Sequence, residues 1–379
     1  MAQDFSRTLS QGGQSGFDRS RQLFARFHID LPLLLLIVIL AICGLFVLYS
    51  SSGSNLAMTQ KQIVHFSIGF VALFITAQIP PRFYATIAIW FYIVCLLGLV
   101  AVLLYGVGAK GAQRWLAIPG LPRFQPAELM KLAVPLAVAW FMAKRSVPPK
   151  LSDLLQAFIL IIVPTLLILK QPDLGTSILI MATGISVMFF AGMSWRLILS
   201  LIALATAIAP MMWLFVMRDY QKTRILTFLN PESDPLGSGW NIIQSKTAIG
   251  SGGLQGKGWL MGSQSQLEFL PESHTDFIIA VLAEEFGFIG VLLLLSLYFL
   301  IILRALYLAS NCETLFGRLL SASLVVAFFI YIFVNIGMVS GILPIVGVPL
   351  PLISYGGTSV ISLLIAFGIL MSMCTHKRS

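Results

Sequence analysis

The chain has 379 residues, of which 58% are hydrophobic and 10% charged, with a formal net charge of +9 and a mean hydropathy of +0.92. Soluble domains carry about 25% charged residues, so a water-soluble globule is excluded. The excess of Lys and Arg is no argument for nucleic acid, because in a membrane protein these residues set orientation and meet anionic headgroups.

Residues 1–29 are rich in Ser, Gln and Gly and read as a flexible cytoplasmic tail. No small-residue cleavage site closes the first apolar run, so that run is expected to stay in place as a helix. Hydropathy predicts ten spans, over residues 31–50, 62–79, 84–107, 126–143, 152–169, 174–191, 197–216, 276–303, 319–339 and 353–373. Most approach or exceed the ~18–20 residues needed to cross a bilayer. The breaks carry turn chemistry, as at Pro80-Pro81-Arg82, Pro148-Pro149-Lys150 and Gln171-Pro172-Asp173. The expected fold class is therefore all-α: a polytopic membrane protein with a single transmembrane domain over 30–374 and a short cytoplasmic tail at 375–379. With the N-terminus inside, thirteen basic residues fall in the inner segments and five in the short outer loops. That bias places both termini in the cytoplasm. Cys43, Cys95, Cys312 and Cys374 lie in spans or on the cytoplasmic side, so no disulfide is expected.

Between spans seven and eight lies a long outer loop, residues 217–275, with six glycines between Gly237 and Gly256. Loops of this length are either functional or disordered. This one keeps Trp240, Ile242, Leu254, Trp259 and Phe269, which points to a folded cap on the outer membrane face, anchored by interfacial Trp side chains.

The few charges are placed unevenly. Glu128 and Lys131 open span four, Asp173 opens span six and Asp276 opens span eight. Each of these helices runs inward from the outer face, so the three carboxylates share one depth. Embedded ionisable groups usually face a polar cavity or one another, and helix N-termini favour carboxylates and anions. Structural alternatives stand beside this reading. Asp276, or Thr275 before it, can be a helix cap, as can Asp173. Glu128 and Lys131, three residues apart on one helical face, can be no more than an internal ion pair. Glu284 and Glu285 lie ~12 Å deeper than Asp276 at 1.5 Å per residue, with no basic neighbour in sequence. Only Glu284 points toward the face of Asp276, and for both residues packing and proton relay remain open. The outer side also gathers Arg114, Arg123, Arg218, Lys222, Arg224, Lys246 and Lys257, an excess that an anionic headgroup such as a diphosphate would explain.

Other motifs fail. GSGGLQGKG, residues 250–258, lacks the spacing and the hydroxyl residue of a phosphate-binding loop. No zinc spacing or nucleophile elbow is present.

Four blocks resemble a known family: QPAELMKL (Gln125–Leu132), QPDLGTS (Gln171–Ser177), the run from Asn230 to Gly290 that includes LPESHTDFIIAVLAEEFGFIG, and NIGMVSGILPIVGVPLPLISYGGTS (Asn335–Ser359). They are similar to the SEDS (RodA/FtsW/SpoVE) family of bacterial shape, elongation, division and sporulation proteins. GKGWLMGSQSQLEFLPESHTDF favours its RodA branch. The resemblance runs from about Asp30 to Met373 and implies a peptidoglycan glycosyltransferase in the bacterial inner membrane that polymerises lipid II on its outer face during elongation. It also implies work with a class B penicillin-binding protein. Residue by residue, Asp276 matches the family's essential carboxylate. Glu128, Lys131 and Asp173 match its polar positions, and Arg114 and Arg224 are carried over as substrate-binding cations.

The implied chemistry suits these residues. A diphosphate leaves already ionised, so the reaction needs one base for the acceptor hydroxyl, the role assigned to Asp276, and cations for the departing charge. Lys131, Arg114 and Arg224, or a divalent cation such as Mg2+ or Mn2+ held by carboxylates, would supply the latter. One carboxylate and no covalent intermediate imply inversion at the anomeric carbon. A lipid II flippase and a non-catalytic membrane scaffold for the penicillin-binding protein are the competing readings. A flippase would more often show internal repeats and helices broken at mid-membrane, neither of which the sequence displays.

Overall fold

The computed structural model describes residues 27–109, 112–116, 124–217, 238–263 and 272–376, with positions 222, 226–228, 230 and 270 between them. Its helices are α1 (Leu31–Ser51), α2 (Leu56–Gln78), α3 (Pro81–Tyr105), α4 (Pro126–Ala143), α5 (Leu151–Lys170), α6 (Leu174–Phe190), α7 (Trp195–Met211), α8 (Ser238–Gly252), α9 (Ile278–Ser310), α10 (Leu315–Val339) and α11 (Gly357–Thr375). Eight of them, all but α6, α7 and α8, are long and apolar enough to cross a membrane. The all-α membrane architecture holds. The sixth and seventh predicted spans correspond to α6 and α7, helices of 17 residues each, just short of a full crossing.

Local chemistry sets the helix starts. Asp30 accepts a hydrogen bond from the Leu33 amide at 2.9 Å and also binds Arg304 of α9 at 2.6 Å. Asn55 caps α2 and Thr314 caps α10, while Pro81 and Pro126 sit in the first turns of α3 and α4, where a missing N–H costs nothing. After α3 the chain forms a small antiparallel hairpin, β1 (Val107–Ala109) with β2 (Ala112–Trp115), where hydropathy alone predicts a connecting loop.

Helix α4 is the centre of the bundle. It is buried on nearly every side and touches α3, α5, α6, α10 and α11. A helix apolar all round belongs in an interior, so Glu128 and Lys131 at its head are carried into the middle of the protein.

Helix α9 differs most from expectation. It is not one rod: Gly287 has φ 64° and breaks it, nine residues or ~13 Å from its start at 1.5 Å per residue. The turn after α8 enters this break. Lys257 and Gly258 donate their amides to the Glu284 and Glu285 carbonyls, each at 3.0 Å, and Phe288 donates to the Gly253 carbonyl at 2.9 Å. A Cβ on Gly287 would fall within 3 Å of the backbone of Leu254 and Gly256, so only glycine satisfies both the conformation and the approach. The turn at 253–258 thus penetrates the bundle, with Ile242 and Ala248 of α8 buried.

The last predicted span starts later than expected, at Gly357. Pro344, Pro349 and Pro351 keep the preceding stretch non-helical, and its Val346 and Val348 pack against Gly175 of α6. Beyond α9, Cys312 and Cys374 lie side by side, with Cα atoms 4.4 Å apart. Their separation of 62 residues hides this closeness in sequence.

Candidate active site

A cavity of about 220 Å3 opens where α4, α6 and α10 meet the start of α11, and Arg114, Glu128, Lys131, Asp173 and Tyr331 line it. Four of the residues singled out from the sequence therefore converge. Lys131 Nζ lies 2.6 Å from Glu128 Oε1, and both side chains are about nine-tenths buried. The other carboxylate oxygen of Glu128 accepts a hydrogen bond from Ser362 Oγ of α11 at 3.1 Å. Lys131 Nζ also sits 5.0 Å from the centroid of the Tyr331 ring on α10, a cation–π placement.

Asp173 does two things at once. Its Oδ1 caps α6 by accepting from the Thr176 amide at 3.2 Å. Its Oδ2 accepts from Gln125 Nε2 at 3.3 Å and lies 3.8 Å from Arg114 Nη1. Arg114 is steered from the hairpin by a second bond, to the Pro172 carbonyl. The capping role and the placement on a polar cavity are compatible.

Asp276 is half-buried in the turn before α9. It is not the cap of that helix: Phe277 holds the N-cap position without any side-chain bond, and Thr275 turns to Glu272. Asp276 does not line the cavity itself. A Cβ placed on Gly347, which does line it, would lie 3.5 Å from Asp276 Oδ2, so the carboxylate neighbours a residue of the cavity wall. Asn335 of α10 fixes this relation by donating to the carbonyls of Asp276 at 2.9 Å and Val348 at 2.7 Å. Ser354 binds the Thr275 carbonyl from the other side.

Arg224 lies outside the described residues. Glu284 and Glu285 do not reach the cavity. Glu284 Oε1 binds Lys257 Nζ at 2.6 Å and Ser263 Oγ at 3.0 Å, while Glu285 accepts from Ser50 of α1. They form a second polar cluster around the break in α9.

The carboxylates here are engaged by protein donors and form no all-protein metal cage among the described residues. Both oxygens of Glu128 and both of Asp173 already accept such bonds. The positive charge available here is that of Lys131 and Arg114.

Sequence reasoning misses Gln125, Tyr331, Asn335, Gly347 and Ser362. Gln125, Asn335 and Gly347 fall inside the quoted blocks, the one signal available for them. Ser and Tyr in a membrane helix are ordinary until packing shows what they face.

The family model described as "Cell cycle protein", covering the FtsW, RodA and SpoVE group, matches residues 31–379. Over 353 residues the chain is 53% identical to "Peptidoglycan glycosyltransferase MrdB" of Escherichia coli (strain K12), covering 93% of this chain and 95% of that protein. It is 37% identical to "Probable peptidoglycan glycosyltransferase FtsW" of Trichlorobacter lovleyi, over 93% of this chain and 95% of that one. Among solved structures it superimposes with a TM-score of 0.80 and 31% identity on a chain from work titled "Structural coordination of polymerization and crosslinking by a peptidoglycan synthase complex", over 90% of this chain and 96% of that one. The rod shape determining protein RodA of Thermus thermophilus matches with a TM-score of 0.68 and 29% identity, over 90% and 95% of the two chains. With the polar cavity, the helical bundle and these relatives in agreement, the chain belongs to the FtsW/RodA/SpoVE family, the SEDS proteins.

Proposed function

We propose that this chain, like its relatives a peptidoglycan glycosyltransferase, polymerises lipid II on the outer face of the bacterial inner membrane, with both termini in the cytoplasm. The observation that carries this reading is the cavity that gathers Arg114, Glu128, Lys131 and Asp173 beside Asp276. Asp276 takes the proton from the 4-hydroxyl of the acceptor sugar as that oxygen attacks the anomeric carbon of the donor. The bond from that carbon to the lipid diphosphate breaks, and the anomeric centre inverts. Lys131 and Arg114 stabilise the departing diphosphate at short range in a site partly shielded from water, where such charge is most effective. Glu128 and Asp173 hold those cations in place. The partner is a class B penicillin-binding protein, by analogy with the synthase complex in which a structural relative was solved.

A second reading, a lipid II flippase, gains one supporting feature: α9 is broken inside the bundle at Gly287, a trait common in transporters. Here, however, the carbonyls of Glu284 and Glu285 accept from the backbone of the re-entering turn, so the break is bridged by protein backbone.

The test is to give the purified protein lipid II in detergent, alone and with its partner, and resolve the products on a gel. Asp276→Asn should lower glycan-ladder formation by about 10²–10⁴-fold, the usual contribution of a general base. Wild-type ladders from Asp276→Asn would remove that residue as the base. Translocation across vesicles without ladders would favour the flippase.

A further inference from the structure

Helix α2 carries an outward face on which Ile63, Val64, Ile68 and Val71 are 46–59% exposed. Gln62, one residue before that run, is fully buried. An amide is costly to bury unless it is hydrogen-bonded, and an apolar side chain of similar size would fill the same space at less cost. Neither of its bonds goes to its own helix. Gln62 Nε2 donates to the Ser354 carbonyl and Oε1 accepts from the Gly356 amide, each at 3.4 Å.

Both partners belong to the segment that runs past Asp276 into α11. Gly356 lines the polar cavity and is the N-cap of α11, with no side chain of its own to offer. Ser354 bonds to the Thr275 carbonyl, in the peptide that joins Thr275 to Asp276, and Tyr355 donates its amide to the His274 carbonyl at 2.9 Å. Two hydrogen bonds and one residue therefore connect Gln62 to the backbone of Asp276. A second α2 side chain backs the same rim. A Cβ on Gly357 would lie 2.9 Å from His65 Nε2, and the His65 and Tyr355 ring centroids are 6.2 Å apart. Asn335 holds this segment at Val348; Gln62 holds its other end. One anchor would let the segment pivot, whereas two fix its direction.

We propose that Gln62 is a positioning residue for polymerisation: by holding Ser354 and Gly356 together it sets where the Asp276 carboxylate stands relative to the cavity wall. The proposal rests on the polymerase reading with Asp276 as the base. Misplacing a reacting group by ~1 Å can cost about 10²-fold in rate. Lys131 on α4 and Arg114 on β2 stay where they are when Gln62 is lost, so substrate binding is spared and the chemical step is not.

Gln62→Met keeps the length of the side chain and removes both bonds. With the full-length protein and its partner polymerising lipid II in detergent, kcat should fall about 10²-fold while KM stays unchanged, the split expected when only the chemical step is affected. Gln62→Glu separates bonding from packing, and it carries the test if Gln62→Met does not fold. Its protonated carboxyl can donate to Ser354 and accept from Gly356, whereas the ionised form can only accept. Its kcat, divided by that of the wild type at the same pH, should approach one at acid pH and drop as the new carboxyl ionises. Wild-type kcat in Gln62→Met, or a Gln62→Glu ratio that is flat across pH, overturns the proposal. Combining Gln62→Met with Asp276→Asn keeps the two claims apart. If Gln62 acts through Asp276, the double variant is no slower than Asp276→Asn, and a further loss overturns the positioning role. Wild-type ladders from Asp276→Asn sink the base and the proposal with it, while a wild-type Gln62→Met beside an inactive Asp276→Asn sinks the proposal alone.

Discussion

The Glu128–Lys131 pair separates structural from functional roles most cleanly. At 2.6 Å and an effective dielectric of 20, the direct attraction is about 6 kcal/mol, and the desolvation of two ions, several kcal/mol each, cancels most of it. Removing one partner leaves the other charge buried, which typically costs about 3–5 kcal/mol. Glu128→Gln and Lys131→Met should each destabilise the protein by that amount, because Ser362 and Tyr331 can solvate but not neutralise what remains. The double variant buries no net charge and should regain most of the lost stability. It should not regain polymerisation, since the cation facing the diphosphate is gone. Denaturation in detergent reads the first effect, and ladder formation from lipid II reads the second. If the double variant recovers both stability and ladders, the pair is a packing device and the reasoning fails.

Three further outcomes follow from the geometry. Lys257→Met removes the cation paired with Glu284, which is fully buried, and should cost about 3–5 kcal/mol in thermal unfolding; adding Glu284→Gln should rescue it, and a silent single variant would contradict the pairing. Gly287→Ala should lose at least the ~1–2 kcal/mol of a left-handed non-glycine residue, because the backbone of Leu254 and Gly256 is so close. Gly250→Ala, inside α8 with nothing within 4 Å of its Cβ, should instead gain up to about 1 kcal/mol, so equal effects at the two sites would refute the argument. Burial and the stacked His376 ring, 3.4 Å away, hold the His28 imidazole below its usual range. The unfolded chain then binds more protons than the folded one as pH falls below the ordinary histidine value. Stability from this site is present above about pH 6.5 and is lost as pH falls through the lowered value. His28→Gln should flatten the acid side of a plot of unfolding temperature against pH, and an unchanged profile would refute this assignment.

The spans were legible because length and apolarity are local properties: α1, α4 and α5 begin within a residue of their predicted starts. The break in α9 was not, since glycine is common in membrane helices and Gly287 differs from Gly290 in its positive φ and in the backbone that approaches it. The candidate site divides in the same way. Glu128, Lys131, Asp173 and Asp276 stood out because charge in an apolar run is costly wherever it occurs. Their supports, Ser362 and Tyr331, became visible only when α10 and α11 packed on α4. The partner of Glu284 was hidden for a related reason, being 27 residues earlier in the re-entering turn.

The Asn335 amide ties two parts of the site together. Both of its donors are committed, one to the segment bearing Asp276 and one to the segment bearing Gly347, and its own backbone belongs to α10. These segments therefore travel as a yoked unit whenever α10 tilts. A tilt would widen or narrow the gulf to Arg114 and Asp173, on the hairpin and at the head of α6, while the proton acceptor and the glycine beside it kept their alignment.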